Sequence, residues 1–129
     1  IKKREMVVRP HPLHVDEAKA VLDVLKKEGV KSRLEDPHEI SINDSLSQTS
    51  VHVTYSSTCA LDALNFGIPS VHCSEYIGDV EREFSTGLLF NRDEINKRNL
   101  VRVPEKAVNY SLGSEDKVSQ AVSLILSLA

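Results

Sequence analysis

Val51-His52-Val53-Thr54-Tyr55-Ser56-Ser57-Thr58-Cys59-Ala60-Leu61-Asp62-Ala63-Leu64-Asn65-Phe66-Gly67-Ile68-Pro69-Ser70-Val71-His72-Cys73 reads as strand, helix, strand. Residues 51–55 are β-branched and aromatic, the types strands prefer. Ser56 or Ser57 supplies a hydroxyl for a helix N-cap, the helix runs to about Asn65, and Gly67 stops it. Ile68 to Cys73 is a second short apolar strand. Strands joined through a helix pair parallel, which is the signature of a βα unit.

The same alternation extends both ways. Glu5 to Arg9 reads as a short buried strand, stopped by Pro10 and Pro12. Val15 to Lys27 reads as a helix with Val15, Ala18, Val21, Leu22 and Leu25 on its inner stripe and Gly29 as its stop. Lys31 to Glu35 is a weaker strand ended by Asp36-Pro37, and Ser41 caps a short helix over Ile42 to Gln48. Tyr76 to Phe84 reads as helix, Leu88 to Phe90 as strand, and Glu115 to Leu128 as a closing helix with Val118, Ala121, Val122, Ile125 and Leu126 on one stripe. Residues 91–114 read as loop, with one short helix near Asp93 to Asn99. The expectation is an α/β chain, Rossmann-like and three-layered, with a mainly parallel sheet covered by helices on both faces.

Composition narrows the function classes. The chain has 129 residues, the size of one domain, and nothing in it marks a linker or an internal repeat. Sixteen Lys+Arg against nineteen Asp+Glu gives −3 and a pI near 5.9, which argues against a dedicated nucleic-acid binder. No apolar run is long enough to span a membrane. Cys59 and Cys73 are too few for a disulfide scaffold, so a reducing, cytoplasmic setting is expected. His11-x-x-His14 has no third ligand at a recognisable spacing, so no metal is expected, and neither common phosphate loop is present.

In parallel α/β sheets, ligands bind beyond the carboxyl ends of the strands. Polar groups cluster at three such ends: Arg9-Pro10-His11-Pro12, then Tyr55-Ser56-Ser57-Thr58, then His72-Cys73-Ser74-Glu75. The Ser56-Ser57-Thr58 turn reads either as a simple N-cap or as an anion site in which free first-turn N–H groups and hydroxyls hold phosphate. Asp62, four residues after Thr58, stands on the same helix face, placed to accept from ribose hydroxyls or simply to favour the helix dipole. His11, stiffened by two prolines, is either a phosphate donor or acid/base group, or an exposed loop histidine. His14, His38 and His52 read as residues without a chemical role, and His72 is open.

Two stretches together resemble a known family. Val8-Arg9-Pro10-His11-Pro12 resembles the strand and His-Pro motif of GT-B glycosyltransferases. Residues 53–71 resemble its strand, Ser-Ser/Thr turn, acidic-Ala-Leu helix and Gly-x-Pro before the next strand. The likeness covers residues 5–90. It is to the C-terminal, nucleotide-binding half of capsule-type sialyl- and polysialyltransferases and CDP-glycerol transferases, and UDP-N-acetylglucosamine 2-epimerases share the architecture. The resemblance implies a donor-nucleotide domain of an enzyme of capsular or envelope polysaccharide synthesis. His11 would contact the donor phosphate, Ser56, Ser57 and Thr58 would bind phosphate, and Asp62, where many members carry Glu, would face the ribose. The nucleotide-activated donor is then the substrate, with no separate cofactor. The acceptor site and catalytic base would lie on a second, N-terminal domain, so these 129 residues alone are expected to be inactive. An epimerase on the same fold and a non-catalytic α/β interaction domain are the rival expectations.

Overall fold

The computed structural model describes residues 4–95, 100–101 and 122–127. The chain divides into two compact units, Ile1–Gln48 and Thr49–Ala129. It is an α/β protein in which every strand pairing among the described residues is parallel, the Rossmann-like pattern that alternating strands and helices require.

The first unit holds β1 (Met6–Val8), α1 (Val15–Lys27), β2 (Ser32–Leu34) and α2 (Ile42–Ser47). β1 and β2 pair parallel, with Met6 opposite Ser32 and Val8 opposite Leu34. α1 begins and ends where its apolar spacing places it. Its inner line is Val15, Ala18, Leu22 and Leu25, of which Ala18 is buried and the other three half-buried. Val21 does not belong to that line and stays 50% exposed, because one residue turns the helix by about 100° away from Leu22. The helix ends in a Schellman pair around Gly29 at φ 72°: Gly29 N–H donates to the Lys26 carbonyl (3.0 Å) and Val30 N–H to the Leu25 carbonyl (2.9 Å). Past the strands, the carboxylate of Glu35 is 4% exposed and accepts from the Arg9 guanidinium at 3.0 Å, which removes the cost of burying an unpaired charge. Ser41 caps α2 by accepting from Asp44 N–H (3.1 Å).

The second unit holds β3 (His52–Thr54), α3 (Cys59–Asn65), β4 (Ser70–His72), α4 (Glu75–Phe84), β5 (Leu89–Asn91) and a 3₁₀ turn at Arg92–Glu94, with residues 122–127 helical and exposed. The strands run in the order β3-β4-β5. The expected short helix near Asp93 to Asn99 is reduced to that turn within the described residues, and most of the closing helix expected over Glu115 to Leu128 lies outside them. α3 and α4 meet over the sheet in a core of Ala60, Leu64, Ile77, Val80, Leu88 and Leu89. Gly67 at φ 66° lets the chain leave α3 and enter β4.

The strands are less uniformly buried than expected. Met6 in β1 and Val53 in β3 are exposed, the latter at 62%, because each stands on an edge strand of its sheet. β4, the central strand, is buried at all three residues. β3 and β4 in fact alternate. Register puts His52, Thr54, Ser70, His72, Leu89 and Asn91 on one face and Val53, Val71 and Phe90 on the other. Leu89 packs with α3 and α4, so the polar line is the one that these helices cover. Polar groups survive there because they find partners: His52 Nδ1 and Ser70 Oγ lie 2.6 Å apart, and His72 Nδ1–H donates to the Ser74 carbonyl at 3.1 Å.

Both imidazoles, His52 half-buried and His72 buried, are held below the ordinary histidine range. For His52 the cause is desolvation, opposed by the charge of Asp62. For His72 it is again desolvation, opposed by the Ser74 carbonyl, Glu94 and Glu81. The unfolded chain therefore takes up these protons first as pH falls from about 6.5, and their stabilising contribution, complete above that pH, is lost on acidification. Unfolding midpoints in urea should fall between pH 7.5 and 5.5. His52→Gln should flatten that slope, by at most about 1.4 kcal/mol per pH unit for one proton. An unchanged slope in both His52→Gln and His72→Gln would place the pH response elsewhere.

Candidate functional site

The carboxyl edge of the β3-β4-β5 sheet is the place to look for a ligand. Three residues stand there in register, Thr54, His72 and Asn91. The loops that follow β3 and β4 are tied by Cys73 N–H donating to the Tyr55 carbonyl at 3.1 Å. Ser74 caps α4, its hydroxyl accepting from Tyr76 N–H at 3.2 Å.

The turn after β3 is more structured than a loose hydroxyl cluster. Ser57 N–H donates to Thr54 Oγ1 (3.1 Å), and Ser57 Oγ accepts from Cys59 N–H (3.2 Å). Ala60 N–H reaches the Ser57 carbonyl and Leu61 N–H the Thr58 carbonyl. Ser57 is thus the cap of α3, while the side chain of Thr58 makes no capping bond. The expectation of free first-turn N–H groups is corrected here: tight local bonds already occupy those of Ser57, Cys59, Ala60 and Leu61. What the turn offers is hydroxyl hydrogen. Ser56, Ser57 and Thr58 are all exposed, and even Ser57, which accepts through its oxygen, keeps its own proton to donate.

Asp62 is half-buried one turn below Thr58, and its charge acts on His52. Cys59 and Cys73 are free and half-buried. His72 is 2% exposed and committed to the Ser74 carbonyl, which makes it a structural residue. Among the described residues no group of three or more His, Cys, Asp or Glu is arranged to hold a metal ion, and no helix is long and apolar enough to cross a membrane.

His11 belongs to the first unit. It is exposed, tilted against the ring of His14 at 5.5 Å between centroids, and its Nδ1 accepts from Leu13 N–H at 3.2 Å. An accepting Nδ1 is bare, so the neutral ring carries its proton on Nε2 and presents that N–H to solvent. His14 lies 3.8 Å from Glu17 and caps nothing. His38 is exposed.

The link between His52, Ser70 and Asp62 was missed in sequence. His52 and Ser70 lie 18 positions apart, and their meeting depends on strand register. The alternation of Val with His52, Thr54 and His72 was the available signal. No family model, curated protein or solved structure matches the chain.

Two experiments check this geometry. Imidazole ¹⁵N shifts at alkaline pH should show opposite tautomers: Nε2–H for His11 and Nδ1–H for His72; the same tautomer at both would contradict one of the two bonds. Ser57→Ala should cost about 1 kcal/mol of stability through loss of the cap. Ser56→Ala should stay within about 0.5 kcal/mol, as for an ordinary surface change. Equal losses measured by urea unfolding would show that the cap is misassigned.

Proposed function

We propose that the chain is the donor-nucleotide-binding domain of a GT-B-type glycosyltransferase that builds a capsular or envelope polysaccharide. The observation that supports this reading is the Ser56-Ser57-Thr58 turn. Three exposed hydroxyls stand at the carboxyl end of a parallel strand, where the parallel α/β pattern locates ligands, with a carboxylate at Asp62 one turn below. In this reading the hydroxyls donate to the phosphate oxygens of the nucleotide. Those bonds strengthen as negative charge grows on the departing nucleotide, which lowers the barrier to breaking its bond to the sugar. Asp62 accepts from the ribose. The acceptor and the catalytic base belong to a partner domain, so this chain binds weakly and transfers nothing by itself.

The test is titration of the ¹⁵N-labelled chain with UDP, CDP and CMP. Amide shifts are expected across residues 55–62, with a dissociation constant of about 0.1 mM or weaker. The double variant Ser56→Ala, Thr58→Val should weaken binding about tenfold, or about 1.4 kcal/mol, while the unfolding midpoint holds. Because it spares the Ser57 cap, loss of binding cannot be blamed on loss of the helix. Absence of shifts with all three nucleotides would sink the proposal and leave a non-catalytic α/β domain.

A further inference from the structure

The first unit carries a second polar feature, at the end of its sheet opposite His11. The turn after α1 and the segment leading into β1 enclose an open hollow of about 430 Å³, lined by Arg4, Lys26, Gly29, Val30 and Lys31. Three of these five residues are cations and none is a carboxylate, in a chain whose net charge is −3. Surface cations in such a chain usually sit beside acids, and in this unit most do: Arg9 holds Glu35, Lys19 approaches Asp16, and Arg33 lies between Glu5 and Glu35. Glu5 also reaches Lys31 at 3.6 Å, but it shares its charge with Arg33 at 3.3 Å. Among the described residues Arg4 and Lys26 have no acidic partner. The hollow therefore keeps a surplus of positive charge.

One effect opposes an anion there. The C-terminal end of a helix is its negative end, and Lys26 lies in the last turn of α1. The Schellman pair reduces that opposition, because the carbonyls of Leu25 and Lys26 already accept from Val30 and Gly29. Arg4 supplies a fork able to hold two oxygens at once, and the lysines supply compact charges. That donor set suits a multi-oxygen dianion better than a single carboxylate.

We propose that this hollow binds a phosphate group, carried either by a free phosphorylated metabolite or by the headgroup of an anionic phospholipid. The site is independent of the nucleotide reading, since it lies on the other unit and uses other residues.

The test uses the whole 129-residue chain at low ionic strength. Pyrophosphate should shift the amides of Arg4, Glu5 and residues 26–31. Arg4→Glu combined with Lys26→Glu should weaken binding by about tenfold, since two charge-assisted contacts become repulsive. Both positions are at the surface, and the unfolding midpoint of the variant is measured alongside. The shifts at Arg4, Glu5 and residues 26–31 should persist in Ser56→Ala with Thr58→Val, which separates the hollow from the nucleotide site. Sedimentation with vesicles distinguishes the sources. Pelleting with phosphatidic acid but not with phosphatidylcholine, abolished in the Arg4/Lys26 variant, assigns the headgroup; pyrophosphate shifts without pelleting assign the free phosphate. The proposal fails if neither probe is bound, or if the charge-reversed variant binds as the natural chain does.

Discussion

A hydrogen bond of 2.6 Å between the imidazole of His52 and the hydroxyl of Ser70 sits beneath the helices of the second unit, and the strand arrangement there depends on it. Each strand of that sheet is three residues long, so few ladder bonds hold any one register. A slip by one residue would bring His52 opposite Val71 and move the polar line to the other face. His52 and Ser70 would then each be left without the other. A buried polar group without a partner costs about 1–3 kcal/mol, comparable to what a three-residue ladder contributes. The polar pair thus selects the register, and apolar packing of Leu89 with Ala60, Leu64, Ile77 and Val80 supplies the bulk of the burial. The same desolvation that makes the pair selective lowers the proton affinity of His52, so register and pH response share one cause.

What sequence made legible, and what it did not, follows from range. α1 begins at Val15 and ends at Lys27 as its spacing demands, Ser41 caps where a cap is needed, and Gly67 takes the left-handed conformation that ends α3. These are contacts within a few residues, and their chemistry is written in neighbouring letters. Parallel pairing was legible too, because a strand followed by a helix and another strand leaves little alternative. The Arg9–Glu35 pair was not, since its members lie 26 positions apart and meet where β1 and β2 end side by side. The cationic hollow was hidden for the same reason: Arg4, Lys26 and Lys31 become neighbours when α1 folds back beside β1 and β2. Val21 failed differently. Its spacing from Val15 and Ala18 suits an inner stripe, yet Leu22 and Leu25 define a line that excludes it.

The candidate site was half legible. Its residue types pointed to a hydroxyl-rich turn, but the types alone do not divide the work among three adjacent hydroxyls. Bonding does. Thr54 and Ser57 spend a side chain each on holding the turn: Thr54 Oγ1 takes the Ser57 N–H, and Ser57 Oγ takes the Cys59 N–H. Ser56 and Thr58 flank that brace with exposed hydroxyls that do not cap α3. The arrangement leaves two donors beside a braced turn without asking them to stabilise the fold, and a braced backbone lowers the cost of ordering them on an anion.

Asp62 joins the two halves of the second unit's chemistry. Its charge raises the proton affinity of His52 against the larger pull of desolvation, so it acts on the residue that selects the sheet register. It also stands one turn below Thr58, where the proposed ribose contact lies. If ribose binds there, its hydroxyls replace waters that hydrate the carboxylate, and the field that Asp62 projects on His52 changes with occupancy. Under that reading, filling the site and protonating the histidine of the adjoining strand would be linked through this one carboxylate, and linkage would require each to act on the other equally.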